Sequence, residues 1–111
     1  MMEVRHYQTS SGRDVIAEFL RDCSQDIRSD YLDAISLLEK GEILKMPLNR
    51  PLNNVYAGLQ ELRFKDRSGQ YRFLYLLKKK DAIYVIHAFK KKTEELPDKE
   101  KRLVLKRIKE I

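Results

Sequence analysis

Residues 59–92, LQELRFKDRSGQYRFLYLLKKKDAIYVIHAFKKK, decide the fold. Side chains two apart on a strand share a face. Leu62 and Phe64 therefore point one way, and Glu61, Arg63 and Lys65 the other. After the polar turn Asp66–Gly69, the aromatics Tyr71, Phe73 and Tyr75 share one face, while Arg72 shares the opposite face with Leu74 and Leu76. The charged stretch Lys78–Asp81 reads as a second turn, and Ala82–Phe89 as a third strand closed by Lys90, Lys91 and Lys92. Short apolar and aromatic runs separated by turn residues predict a three-strand antiparallel meander.

Working outward, Glu3–Gln8 reads as a short first strand, broken by Ser10, Ser11 and Gly12. Ser11 with Asp14 reads as a helix start. Val15, Ile16, Phe19, Leu20 and Cys23 then follow at one-face spacing, which predicts a helix over 12–23. Ser24 is a natural cap for a second helix over 25–40, whose apolar stripe is Ile27, Tyr31, Ile35 and Leu38 and whose stop is Gly41. A link this short favours an antiparallel helical hairpin. Residues 41–58, punctuated by Pro47, Pro51, Asn53, Asn54 and Gly58, read as irregular. Pro97 suits the first turn of a terminal helix with Leu96, Leu103, Val104, Ile108 and Ile111 as its stripe. The expected fold is α+β in the order β-α-α-β-β-β-α, an antiparallel sheet packed by the N-terminal hairpin and the C-terminal helix, with the helices on one sheet face.

The 111 residues fit one domain, 1–111, and 42% hydrophobic content supplies one core. A single cysteine, Cys23, rules out an internal disulfide or a multi-thiolate metal site. It lies on the apolar stripe of the first helix, as a small core residue. The opening residues lack the apolar stretch of a secretory signal, and no apolar run approaches membrane-spanning length, so a cytoplasmic protein is expected. Charge is unevenly placed. Residues 1–60 carry seven Lys/Arg and nine Asp/Glu, a balance of −2, whereas residues 61–111 carry sixteen and eight, a balance of +8. Such asymmetry suits a polyanion or an acidic protein partner, or serves solubility.

If the aromatic faces meet the helices, Arg63 and Arg72 project from the uncovered face, beside the lysines that leave the third strand and near Arg67 in the turn. Arginine's planar fork grips two phosphate oxygens at once and stabilises charge building on a phosphorus under attack. A neighbouring lysine can exchange a proton with a ribose 2′-hydroxyl or a departing oxygen. RNA brings its own nucleophile, so neither a metal nor a protein nucleophile is required. His6 and His87 sit on different expected strands. A histidine pair can run RNA cleavage, but His87 lies within YVIHAF and reads first as a structural residue. Asp26, Asp30 and Asp33 share one helix face and read as a solvated surface. No HExxH, paired CxxC or Gly-rich phosphate loop is present.

The stretch LQELRFKDRSGQYRFLYLL, then AIYVIHAFKKKTEELP and a basic terminal segment, resembles the RelE/ParE toxin superfamily, and most closely its phage-associated, HigB-like branch. The shared pattern is L-x-E-L-R, a short turn, Y-R-x-x-Y, an apolar strand and F-x-K-K. It covers residues 57–111, and the first 56 match in architecture only. This resemblance implies the toxin of a type II toxin–antitoxin pair: a ribosome-dependent mRNA endonuclease that uses 2′-hydroxyl attack with neither metal nor cofactor. Arg72, Arg63 and Lys91 would be catalytic, Arg67, Lys65, Lys90 and Lys92 would bind RNA, and His87 is a further possibility. A helix-turn-helix antitoxin would be the partner, with operator DNA reached only through it. The chain departs from some relatives in lacking an aromatic residue at Thr93–Pro97 and in carrying Glu61 and Arg63 where those relatives place lysines. ParE-like members of the fold inhibit DNA gyrase instead, and a non-toxic basic nucleic-acid-binding domain is the third alternative.

Overall fold

A computed structural model of the protein describes residues 2–78, 82–93 and 95–111. Asp14, not Ser11, opens the first helix: its carboxylate accepts from the Ala17 N–H at 2.9 Å and α1 runs Val15–Arg21. Ser24 caps the second as expected, accepting from the Ile27 N–H at 3.2 Å, and α2 spans Gln25–Glu39. Gly41 follows with φ of 83°, a left-handed residue that lets the chain leave the helix.

The sheet has five strands in spatial order β1-β5-β4-β3-β2. They are β1 (Glu3–His6), β2 (Asn49–Pro51), β3 (Leu59–Asp66), β4 (Gly69–Lys78) and β5 (Ala82–Lys91), and α3 (Asp98–Glu110) closes the order. The expected meander is present as β3, β4 and β5, paired antiparallel. Most of the turn expected at Lys78–Asp81 lies outside the described residues.

Three expectations are corrected. The sheet is mixed, because β1 pairs parallel to β5. Residues 49–51, read as irregular, form the edge strand β2 against β3. Three residues carry no periodic signal, and Pro51 is tolerated there because an edge strand leaves one row of N–H groups unpaired. The helices also cover both faces, not one. The hairpin packs Ile16, Ile27, Tyr31 and Leu38 against Leu62, Phe64, Phe73, Tyr75 and Val85. On the other side Val104 and Ile108 of α3 pack against Leu59, Leu74, Leu76, Ile86 and Phe89. Phe73 is the hub of the first core. It is fully buried, its ring 4.6 Å from that of Tyr31 and edge-on to Phe19 and Phe64 at 5.6 and 5.7 Å.

A β-bulge separates these two regimes. Leu74 pairs with His87 but Tyr75 pairs with Val85, so Ile86 is an extra residue on β5. Ile86 and His87 consequently both face α3, and every residue after them exchanges faces relative to strict alternation. Arg107 of α3 uses the disruption: its Nη1 donates to the Ile86 carbonyl at 2.9 Å and to His87 Nδ1 at 3.0 Å. Its guanidinium also lies 4.8 Å from the centre of the Tyr7 ring. These contacts hold α3 beyond what its apolar stripe alone provides.

Candidate functional site

Register across β3, β4 and β5 builds a small grid on the face that α3 covers only in part. One row is Lys65, Gln70 and Lys91; the next is Arg63, Arg72 and Phe89; the third is Glu61, Leu74 and His87. Phe89, Leu74 and His87 run under or beside α3, and the cations of the first two rows lie toward its open end. Lys65 is exposed, and Arg63 and Lys91 are half-buried.

Arg72 is only 3% exposed. Its Nη2 donates to Gln70 Oε1 at 2.7 Å and its Nη1 to the Tyr71 carbonyl at 3.2 Å. It thus forms the floor of the cationic face more than an outstretched arm. Beside it lies Glu61, 6% exposed, whose Oε1 is 3.6 Å from Arg72 Nε and 3.7 Å from Arg63 Nε. Both separations are ion pairs too long for hydrogen bonds. The Arg63 Nε is buried without a hydrogen-bond partner, while its Nη1 rests against Met46 Sδ at 3.8 Å. Burial pushes the Glu61 carboxyl above its ordinary value, against the pull of Arg72, Arg63, Arg50 and Lys91.

The turn that carries Arg67 is braced. Asp66 accepts from Ser68 N–H at 2.9 Å, Gly69 N–H at 3.2 Å and the Ser24 hydroxyl at 2.7 Å, which ties the turn to the start of α2. Arg67 is exposed at its tip and Lys92 is exposed beyond β5. Gly69 has φ of 150°, and a Cβ there would sit 2.7 Å from Lys90 Cε. Lys90 stands opposite Tyr71 in the β4–β5 register and its Nζ is 5.8 Å from the centre of that ring. Tyr71 belongs to the hairpin core, so Lys90 lies on the opposite face from Lys91. The lysine run read as one cluster is split by the sheet.

His87 is buried and engaged at both ring nitrogens. Arg107 can only donate, so Nδ1 accepts from it and Nε2 carries the proton toward Glu100 Oε1 at 3.0 Å. Burial holds this imidazole below its ordinary value, with Glu100 acting against that shift and Arg107 adding to it. His6 is tied elsewhere: Nδ1 meets Asp14 at 2.9 Å and Nε2 meets the Tyr31 hydroxyl at 2.8 Å, stitching β1 to both hairpin helices. Cys23 is a buried thiol in the hairpin core, and Asp26, Asp30 and Asp33 are exposed.

Two site residues escaped the sequence reading. Glu61 was visible as an acid on the basic face, but its central position follows from burial. Arg50 pairs with Glu61 in register, from a strand too short to announce itself. A groove of about 730 Å³ runs from this face around the β3 edge to α2, lined among others by Arg63, Lys65, Arg72, Phe64, Asp30 and Asp33. Among the described residues no group of three or more His, Cys, Asp or Glu is arranged to hold a metal ion, and no helix is long and apolar enough to cross a membrane.

A five-stranded α+β domain with an arginine- and lysine-rich sheet face defines the class. More narrowly, the chain belongs to the family of phage derived proteins, Gp49-like, whose model matches residues 18–109. That family is RelE- and toxin-like in general character. No curated protein matches the chain.

Proposed function

We propose that this protein is the toxin of a toxin–antitoxin pair and acts as an endoribonuclease on messenger RNA at the ribosome. The observation that carries the reading is the pair of cross-strand rows that set Lys65 and Lys91 beside Arg63 and Arg72 on one sheet face. Among the described residues these four cations share the sheet face with the carboxylate of Glu61, a cation-rich surface of the kind that suits a polyanion.

In the proposed reaction the RNA's own 2′-hydroxyl attacks the adjacent phosphorus. A proton leaves that hydroxyl, the 5′-oxygen of the next nucleotide departs with a proton, and a 2′,3′-cyclic phosphate remains. Arg63 meets the phosphate directly and stabilises the charge that develops on its oxygens. Arg72 lies beneath and supplies fixed positive potential from a poorly solvated position, where it acts with little screening. Lys91, on the same face, is the group placed to move a proton. Lys65 and Arg67 extend the contact along the strand, and Lys92 adds charge beyond β5. Lys90 contributes from the far side, through the general field only.

The natural inhibitor in this reading is a helix-turn-helix antitoxin that lays an acidic segment over the cationic face and carries the pair to operator DNA. To test the activity, purified protein is incubated with translating ribosomes and the RNA termini are mapped. Cut messages ending in 2′,3′-cyclic phosphate, with 5′-hydroxyl partners, are expected. Intact messages, or 5′-phosphate termini, would refute the mechanism, and inhibition of DNA supercoiling with messages intact would redirect it to gyrase.

A further inference from the structure

We propose that Glu61 is a positioning residue that serves as a resident counter-ion of the cationic face: it steadies Arg63 above Arg72 in the free protein, and an incoming nucleic-acid phosphate takes the Arg63 guanidinium over. The inference rests on reading this face as a phosphate-binding surface, and not on RNA being cut there.

Arg63 and Arg72 form ion pairs with this carboxylate, Arg50 stands opposite it in the β2–β3 register, and the charge of Lys91 on β5 also favours its ionised form. A buried carboxylate so surrounded neutralises like charges that would otherwise repel. The grip is loose. The two guanidinium groups share a single oxygen, Oε1, at 3.6 and 3.7 Å, and Arg63 Nε is left as a buried donor with no acceptor. An orphaned donor of this kind is restored when a better-placed oxygen arrives. A phosphate brings several such oxygens and more charge than one carboxylate.

Exchange of partners has a consequence for protons. Once the phosphate holds Arg63, Glu61 keeps less positive charge around it and gains an anionic neighbour, while remaining buried. Both changes disfavour its ionised form, so binding draws a proton onto Glu61. Burial already biases this carboxyl toward protonation in the free protein. Other titratable groups face this surface among the described residues: Lys65 and Lys91 on the sheet, Asp30 and Asp33 of α2 across the groove, and His87 with Glu100 at α3, His87 lying in the Glu61 row two strands away. Its ring nitrogens are held by Glu100 and Arg107 of α3, out of contact with the arginines.

The test uses a fluorescent single-stranded DNA oligonucleotide at low salt, because DNA lacks the 2′-hydroxyl and cannot be cut. Wild-type protein should bind it more tightly as pH falls from 8 to 5. Glu61→Gln, which keeps the shape and removes the charge, should bind about tenfold more tightly than wild type at pH 8, as expected for loss of one unit charge several ångströms from the phosphate. That variant should also lose most of the pH dependence, and Glu61→Asp should retain it. Equal or weaker binding by folded Glu61→Gln at pH 8, or an undiminished pH dependence, overturns the proposal. Calorimetry on the wild type, in two buffers of different ionisation enthalpy near pH 6, decides the matter even if the variant does not fold. Net proton uptake is expected, and none overturns it. Binding without proton uptake removes the counter-ion role alone, whereas no binding at all removes the phosphate-binding reading with it.

Discussion

Replacing Arg107 with Met should loosen α3 from the sheet. Met keeps most of the apolar stem, so the loss is confined to the guanidinium. Three interactions go together: the 2.9 Å bond to the Ile86 carbonyl, the 3.0 Å bond to His87 Nδ1, and the stacking on Tyr7 at 4.8 Å. The Ile86 carbonyl belongs to a fully buried residue at the bulge and accepts from Arg107 there. An orphaned buried acceptor costs about 1–3 kcal/mol. A half-buried cation–π contact adds roughly 1 kcal/mol. The imidazole, relieved of one donor, can recover part of its loss by re-pairing. A net destabilisation of about 2–4 kcal/mol follows, which for a domain near this size lowers Tm by roughly 10 °C. Urea denaturation followed by circular dichroism measures the free energy, and amide exchange locates it. Protection should fall first in α3 and around residues 85–88 and persist in β3 and β4. A loss under about 0.5 kcal/mol, or uniform loosening of the whole sheet, would refute the idea that Arg107 anchors the helix through the bulge.

Acid should weaken the same attachment. The folded-state pKa of His87 lies below the ordinary 6.5, so the unfolded chain binds more protons and stability falls as pH drops through and below that value. Glu61, whose pKa is raised, acts in the opposite sense at its own titration, so the diagnostic is the difference between wild type and His87→Gln, which should shrink on acidification. Asp14→Ala removes both the α1 cap and the His6 contact, and should cost about 1–2 kcal/mol in denaturant unfolding, with Asp14→Asn recovering much of the capping share. Lys91→Ala should reduce nucleic-acid binding and cutting by about tenfold or more, while Lys90→Ala leaves both within about twofold. An equal effect of the two lysines would show that overall charge, not the sheet face, governs activity. Wild-type affinity for RNA should fall steeply with salt, a log–log slope of about −3 reflecting four or so phosphate contacts on single strands.

Much of the architecture is written locally. The alternation of Leu62 and Phe64 with Glu61, Arg63 and Lys65, and of Tyr71, Phe73 and Tyr75 with Arg72, assigns strand faces because the side-chain period in a strand is two and mispairing would bury charge. Ser24 and the stripe from Ile27 to Leu38 give α2 for a similar reason: cap and period both lie within one short stretch. The basic sheet face was legible at the same level, since Arg63 and Arg72 follow directly from alternation. What the chain alone did not reveal depends on distant pairings. The parallel union of β1 with β5 joins residues about eighty positions apart. Strand β2 exists because β3 offers it an edge. The bulge at Ile86 inverts the alternation of β5, and this slip of one residue places Lys91 with the arginines and Lys90 with Tyr71. Burial, too, is a property of the assembled molecule: only in the folded sheet does Glu61 leave water, paired with Arg63 and Arg72 and opposite Arg50.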